Sequence, residues 1–456
     1  MTSQLTRPDV RETTTVVIGA GIAGLAAARV LADRSSRVVL VDRDRLPDTA
    51  TPRRGVPQGS HGHVLLVAGQ QALGDLFPGL LSELVEAGAV PFDPMLDLSI
   101  YRYGAVWPRW SSGLKLVSFT RPLLETTLRR RVRTMSNIEI RGTVAVAGLT
   151  GVGDRITGVK LDNGEVISSG LVVDCSGRGS RSDRWLAELG FPSPRVEEVK
   201  VDVGYSTRLF RRRPGDLDVT AVFVLPSAPH QKRAGLILPV EGNRWLVTMV
   251  GWHGDYPTGG EQAFNDHARS LPHPAMAALL ERCEPLTDLV SYRFPSSRVR
   301  RFEELERVPA GYLAMGDALC SFNPIYGQGM TCAAMEAAAL GRLLDRHPTL
   351  DVALSRAFYR AAARTIATPW RFATGGDFAY PETKGKRPRG IRLLNGYSRK
   401  IQLAAQVDFE VRRTFTSVQH LIAPPSVLRR PTTVWRVLRA ARRAPGARAG
   451  QPTRPS

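Results

Sequence analysis

Three glycines and one acid near the start of the chain define the first chemistry it can perform. Gly19, Gly21 and Gly24 stand in G-x-G-x-x-G spacing between an apolar run and an Ala-rich run, and Asp42 closes the next apolar stretch. In that setting Gly19 permits a tight strand-to-helix turn, Gly21 lets the backbone approach a pyrophosphate, and Gly24 lets the helix pack closely on the strand. The helix N-terminus then faces the phosphates, and Asp42 accepts ribose hydroxyls. Two later stretches repeat the theme of an acid among small residues. Asp174 opens DCSGRGSR (174–181), and Gly316 and Asp317 open GDALCSFNPIYGQGM (316–330), where Gly327, Gln328 and Gly329 lead into an Ala-rich helix from Met330.

These groups need a scaffold, and the hydrophobic pattern supplies one. Residues 16–18 and 37–41 predict buried strands on either side of a helix, a βαβ unit. Residues 43–66 form a Pro/Gly/Arg-rich loop whose Arg43 and Arg54 are placed to cover the adenosine end of a dinucleotide. A helix is predicted through Leu84 and another over 121–135, with Thr120 as N-cap and Pro122 in its first turn. Short strands at 138–140, 144–148 and 156–161, with Asp162-Asn163-Gly164 as a turn, lead to a buried strand at 171–173. Beyond Phe191 the alternation is that of β-strands, at 199–210, 219–225, 235–239 and 245–252, with Glu241-Gly242-Asn243 as a hairpin turn.

The predicted fold is α/β: a Rossmann-type dinucleotide-binding domain (GxGxxG), an antiparallel-sheet substrate domain and a helical C-terminal region. The boundaries read as 1–12 a polar, disordered lead-in; 13–90, 113–194 and 290–345 the dinucleotide domain; 91–112 and 195–289 the substrate domain; 346–422 helical; and 423–456 a basic tail. Aromatic residues at Tyr101, Tyr103, Trp107 and Trp110 suit either a ligand wall or simple packing.

Composition narrows the class. The chain has 456 residues, is 43 % apolar and carries a net charge of +20. Only seven basic residues are lysine, so the excess is almost all arginine, which coding bias explains in part. Residues 423–456 hold eight arginines and no acid, and read as a solvated, frayed tail or, alternatively, as a weak membrane-surface or partner-docking helix. Nucleic acid is not expected as a partner, because only Trp435 is interleaved with the basic tail. No run reaches the ~18 apolar residues of a membrane helix, and the apolar stretch 16–28 follows Asp9 and Glu12, unlike a signal peptide. A cytoplasmic location is expected. Cys175, Cys283, Cys320 and Cys332 are widely spaced, which suggests reduced, buried thiols. His61 and His63 have poor spacing for ligating a metal, and no metal is expected.

Glycines 19, 21 and 24 together with RGVPQGSHGHVLL (54–66), DCSGRGSR and GDALCSFNPIYGQGM make a combination that resembles the flavoprotein monooxygenases of the para-hydroxybenzoate hydroxylase fold group. Within it the chain is similar to the branch of squalene epoxidase and the bacterial polyether epoxidases. The resemblance spans nearly the whole chain, more loosely over TPWRFATGGDFAYPET. It implies FAD as cofactor, with Gly316 and Asp317 at the ribityl chain, Gly327, Gln328, Gly329 and Met330 beside the flavin ring, Arg121 touching the cofactor, and Asp174 with Gly177 supporting the domain. The Pro324 carbonyl would lie near flavin C4a, where a hydroperoxide forms and hands one oxygen atom from O₂ to an electron-rich carbon of a lipophilic substrate. Helix polarity favours this placement, since the positive end of a helix suits a ring that becomes anionic on reduction.

Epoxidation of a polyketide or isoprenoid alkene needs no base acting on the substrate, and no catalytic triad or carboxylate pair is seen. Aromatic hydroxylation and hydride transfer to a prenyl alkene are the alternatives. Tyr205, Trp252, His253 and Tyr326 are the polar aromatic candidates, with His253 read as structural. A halogenase would carry a particular lysine and W-x-W-x-I-P, and neither occurs. Ser60 and Gly62 depart from the epoxidase pattern. Gly151-x-Gly153 lacks a third glycine, so NAD(P)H has no domain of its own: it would visit the flavin cleft transiently, or a partner flavin reductase would supply the electrons.

Overall fold

The computed structural model describes residues 9–448; the first eight residues of the expected lead-in and the last eight of the tail lie outside them. Five parallel strands form the sheet that carries the glycine fingerprint, in the spatial order Tyr312–Ala314, Leu171–Asp174, Thr14–Ile18, Arg37–Val41 and Ile138–Arg141. The three central strands have Val-rich interiors covered on both faces, which is why they read as continuous apolar runs. Val16, Val17, Val38, Val39, Val172 and Val173 are all buried. The helix Ile22–Ala32 packs between the sheet and the helix Gly329–Arg346, which is why Ala26, Ala27 and Ala28 are all buried. Chain order and space thus differ: the third fingerprint, late in the chain, enters the sheet next to the second.

The other large element is an eight-stranded sheet built on the 17-residue strand Arg195–Arg211. One flank of that strand pairs antiparallel with Arg244–Trp252 and, beyond it, Arg233–Val240, Ala221–Val224, Leu98–Arg102 and Ala105–Val106. Its other flank pairs with Val290–Arg301, which in turn holds Cys320–Ser321. The expected domain boundary at 290 is therefore corrected: residues 290–301 and 320–321 belong to the antiparallel sheet. A local pattern identifies a strand, but its partner is set across space. The tight turn at 241–243 is a three-residue connection between the paired Val240 and Arg244, with Gly242 and Asn243 at φ +73° and +51°, left-handed positions that glycine and asparagine take readily.

The C-terminal region is helical over Val352–Asp377, Ile391–Ala404 and Phe409–Gln419, with the proline-rich break between the first two as expected. The reading of the tail as frayed is corrected over the described residues. Pro431–Ala441 and Pro445–Arg448 are helices, and Val437, Ala440, Ala441 and Ala444 are buried against Ile401, Leu403, Val411 and Phe415. Spacings of three and four place Val437, Ala440 and Ala441 on one helical face, with Ala444 following in the turn after the helix, so the arginines occupy the other. Trp107 and Trp110 pack on Phe415 and Phe409 of the same helical layer, which settles them as packing residues. The lead-in is ordered from residue 9, where Val10 is buried and its N–H donates to the Pro348 carbonyl. All four cysteines are free and buried. Among the described residues no helix is long and apolar enough to cross a membrane.

Val437→Asp would place an unpaired carboxylate in this contact, which costs at least about 2 kcal/mol. Thermal unfolding should show a drop of several degrees, whereas an unchanged midpoint would mean that the terminal helix contributes no packing.

Candidate functional site

At the nucleotide end, the strand Thr14–Ile18 runs into Gly19 at φ +97°, a left-handed residue whose missing Cβ would stand 2.5 Å from the Cys175 carbonyl oxygen. A Cβ on Gly24 would overlap the Gly19 carbonyl oxygen, so helix and turn close on each other only with glycine at both positions. Gly21 is different, being open. The atoms nearest to where its Cβ would stand are guanidinium nitrogens of Arg53 and Arg121, 3.7 and 3.8 Å away. A free helix N-terminus and two arginines therefore converge on one spot, an arrangement suited to a pyrophosphate.

Buried acids hold those arginines. Arg53 Nε donates to Glu125 Oε2 at 3.0 Å and Arg121 Nε to Glu125 Oε1 at 2.8 Å. Burial pushes the Glu125 carboxyl up, but the charges of Arg121 and Arg53 outweigh it and hold the group below its ordinary value. Arg53 also reaches Asp42 and Asp44, at 3.2 and 3.1 Å. Asp42 accepts the Ala20 N–H at 2.6 Å, which brings this ribose-type acid against the glycine turn. Arg43 and Arg54 are exposed. The arginine that enters the site is thus Arg53, the first of the Arg53-Arg54 pair. Asp174 is fully buried and is occupied by the Ser176 N–H, the Ser180 hydroxyl and the Tyr312 hydroxyl. It shapes its own loop and does not line the cleft.

At the other end, Gly316 (φ +59°) donates its N–H to Glu336 Oε2 at 2.8 Å, and the next side chain, Asp317, has no hydrogen-bond partner among the described residues. Burial raises the Asp317 carboxyl, opposed by Arg121 and Arg178. Gly327 (φ +66°) turns the chain against Val64, and Gln328 caps the helix Gly329–Arg346 with its own Oε1 buried and unpartnered. Gly329 leaves its Cβ position 3.5 Å from Asp317 Oδ1, and Met330 is buried behind it. The unpartnered acceptors, the glycine cradle and the free end of an 18-residue helix fit a flavin with its ribityl chain, and the Gly21 end fits the adenosine diphosphate half.

Between them lies the turn at Pro324. Asn323 is fully buried, accepts the Tyr205 hydroxyl at 2.9 Å and donates to Asp377 Oδ1 at 2.9 Å. The same Asp377 oxygen accepts Trp252 Nε1 and the Tyr326 hydroxyl, each at 3.2 Å, while Oδ2 has no partner. Burial outweighs those three bonds and pushes Asp377 up to about 7. Of the four polar aromatic candidates, Trp252 and Tyr326 therefore meet at one carboxyl, and Tyr205 reaches it through Asn323. His253 instead pairs with Thr383, 3.1 Å away.

Strand register puts Val203, Tyr205 and Thr207 in line with Trp252, Val250 and Thr248 and with Phe294 and Tyr292, on one face of the sheet. His61 rests on that face with Nδ1 2.7 Å from Thr207 Oγ1, its ring beside Tyr205 and Tyr292, and Nε2 buried without a partner. Burial lowers it to about 4, so the imidazole is neutral. His61 and His63 form no metal site with other ligands among the described residues. Arg53, His61, Glu125, Asn323, Glu336 and Asp377 escaped the sequence reading as site residues. Only His61 gave a signal, and spacing framed it as a metal question.

A parallel nucleotide sheet, an antiparallel sheet across the cleft and a flavin cradle at a helix end define an FAD-dependent oxidoreductase with a flavin-monooxygenase fold. A family model described as FAD dependent oxidoreductase matches residues 14–56. The structure of PqsL, a probable FAD-dependent monooxygenase from Pseudomonas aeruginosa, superposes with a TM-score of 0.60 at 17 % identity, over 80 % of this chain and 94 % of that one. The chain belongs to the family of Protein Rv3254 of Mycobacterium tuberculosis, with which it is 35 % identical over 435 residues, 90 % of this chain and 91 % of the relative. It is also similar to the putative 2-heptyl-3-hydroxy-4(1H)-quinolone synthase AqdB1 of Rhodococcus erythropolis, at 26 % identity over 78 % of this chain and 85 % of that protein.

Arg53→Ala should weaken FAD binding at least about tenfold, a charge-assisted contact being lost, while Arg54→Ala changes it less than about twofold. Flavin fluorescence quenching measures both, and equal effects would contradict the placement of Arg53. The buried carboxyls give a second expectation, on stability. Asp377 titrates higher in the fold than in the unfolded chain, so the native state binds more protons between about 4 and about 7 and loses stability as pH rises through that window, by at most roughly 4 kcal/mol. Glu336, pushed up to about 8 by burial, extends the loss. Melting temperatures from pH 5 to 8 should fall in the wild type and flatten in Asp377→Asn; identical slopes would place the Asp377 proton elsewhere.

Proposed function

We propose that this flavoprotein monooxygenase epoxidises an alkene in a lipophilic polyketide or isoprenoid of secondary metabolism. The observation that carries the reading is the character of the sheet face opposite the Pro324 turn. Val203, Val250, Phe294 and Trp252 belong to one buried apolar cluster there, shared with Ile366, Trp370 and Phe378, and the polar groups among them are neutral or already engaged. Such a wall suits the positioning of an apolar substrate and the exclusion of water.

Bound FAD, once reduced, supplies the activation of O₂ and the transfer of one oxygen atom. The residues do the rest. Arg53, Arg121 and the Gly21 N-terminus take the pyrophosphate, Asp42 the ribose and Asp317 the ribityl hydroxyls. The end of the helix Gly329–Arg346 stabilises negative charge on the ring. Asn323 and Asp377 fix the turn that carries the Pro324 carbonyl. Overall, one O₂, one NAD(P)H and one proton give the oxygenated product, NAD(P)⁺ and water, with NAD(P)H reaching the same cleft or a partner flavin reductase supplying the electrons. The enzyme is placed in the cytoplasm.

Ring hydroxylation is the second reading, favoured by the similarity to AqdB1 and by His61. Its neutral imidazole with a free Nε2 suits a substrate that must hand over an N–H or O–H proton.

Oxygen uptake by FAD-loaded protein with NADPH, then NADH, against a panel of lipophilic alkenes, phenols and 4-quinolones tests both. Products made under ¹⁸O₂ should gain a single labelled oxygen on an alkene. A label on a ring carbon would transfer the conclusion to hydroxylation, and a reduced alkene without oxygen uptake would make the protein a prenyl reductase. If ring hydroxylation is found, His61→Ala should lower turnover at least about a hundredfold; alkene oxygenation should tolerate it.

A further inference from the structure

The net charge is not spread over the molecule. Residues 383–456 hold 17 of the 62 Lys and Arg but only two of the 42 Asp and Glu, so this stretch carries +15 of the chain's +20. Coding bias accounts for arginine over lysine, but not for so few acids in one region while the rest of the chain is nearly balanced. Both acids, Asp408 and Glu410, are paired, with Arg436 and Arg413.

The helices in this region also expose large apolar side chains. On Ile391–Ala404, Leu393 and Leu394 are 82 % and 59 % accessible; on Pro431–Ala441, Trp435 and Leu438 are 59 % and 41 %. The two helices pack on each other through Ile401, Leu403 and Ala404 against Val437, Ala440 and Ala441; Leu393 and Leu394 stand eleven and seven residues before Ala404 and Ile401, on the same side of their helix, and stay exposed near its N-terminal end. Exposed bases flank them: Arg392 and Lys400 on the first helix, Arg439, Arg442 and Arg443 at the second, with the Arg439 guanidinium over the Trp435 ring at 5.1 Å. An indole and leucines ringed by arginines is the composition of a helix face that sits in the headgroup layer of a membrane.

We propose that the exposed N-terminal end of Ile391–Ala404 and the outward face of Pro431–Ala441 form a docking surface for an anionic lipid bilayer, with Leu393, Leu394, Trp435 and Leu438 entering the interface and the arginines meeting lipid phosphates. Charge decides among the occupants. A second copy of this chain would bring an equally basic face against it, and a nucleic acid backbone has no use for exposed leucines. A lipid surface answers both features at once. The surface is independent of the oxidised substrate and goes beyond the proposed reaction, although it would give a lipophilic substrate a short path to the enzyme.

The test is co-sedimentation of full-length, FAD-loaded protein with vesicles of pure phosphatidylcholine and with vesicles containing about one third phosphatidylglycerol, at ~0.1 and ~0.5 M NaCl. Binding should be at least tenfold stronger to the anionic vesicles at low salt and should fall at high salt. Two variants separate the contributions. Leu393→Ser/Leu394→Ser/Trp435→Ser/Leu438→Ser should lower vesicle binding at least tenfold, and Arg439→Gln/Arg442→Gln/Arg443→Gln should reduce the preference for anionic lipid. All seven side chains are exposed, and retained flavin and circular dichroism confirm the fold. Equal binding to both vesicles, no binding to either, full binding by the serine variant, self-association that this variant abolishes, or displacement by duplex DNA from a site the leucines do not affect would each overturn the proposal.

Discussion

The close approach of the helix Ile22–Ala32 to the turn at Gly19 is the constraint on which the site depends. A single methyl group on Gly24 would overlap the Gly19 carbonyl oxygen, and one on Gly19 would press on the Cys175 carbonyl. That contact locks strand, turn and helix into one geometry and leaves the helix N-terminus free at Gly21. It also ties the first fingerprint to the second, because Cys175 follows the neighbouring strand and its N–H donates to the Ile18 carbonyl at 2.8 Å. From there Tyr312–Ala314 extends the sheet and delivers Gly316 and Asp317 to the same cleft.

Buried charge is used in two ways around that cleft. Glu125 is fully compensated, with one oxygen to each of Arg53 and Arg121, and so stays ionised and holds two guanidiniums where phosphates are expected. Removing either partner from such a group leaves a costly unpaired charge, so the arrangement specifies geometry more than it adds stability. Asp377 is the opposite case. No cation lies among its bonded partners, three neutral donors share one oxygen, and the other oxygen is bare. Desolvation then outweighs hydrogen bonding and the carboxyl holds its proton near neutrality. One carboxylate organises by charge, the other by hydrogen-bond geometry.

The two sheets meet where function requires both. Arg178, from the loop after Asp174, donates to the Ser296 carbonyl at 2.5 Å and to the Ser321 hydroxyl at 2.7 Å, joining the nucleotide domain to the edge strands of the antiparallel sheet. The second of them, Cys320–Ser321, runs on to Asn323 and Pro324, so the Pro324 turn rests on the antiparallel sheet and the helix Val352–Asp377 as much as on the nucleotide domain. The helical C-terminal region therefore has two surfaces with different tasks: an inner one that fixes this turn through Asp377, and an outer one that is basic and apolar.

What the sequence alone determined is what short-range sterics control. The glycine spacing, the acids at strand ends, the hairpin glycines and the proline break all act within a few residues, so the parallel nucleotide sheet, the antiparallel sheet, Gly19, Gly21, Gly24, Asp42 and the 316–330 segment were legible. Tertiary structure decided the rest. Neighbouring side chains in an irregular loop leave in different directions, and only packing against Glu125 and Asp42 shows that Arg53 turns inward and Arg54 outward. Val290–Arg301 reads as a strand anywhere, but its ladder with Arg195–Arg211 assigns it to the second sheet. The stripe of Val437, Ala440, Ala441 and Ala444 becomes a buried face only because Ile401 and Phe415 are there to cover it. Asn323 and Asp377 are 54 residues apart, and no local pattern marks a carboxyl whose role comes from three donors that the fold gathers around it.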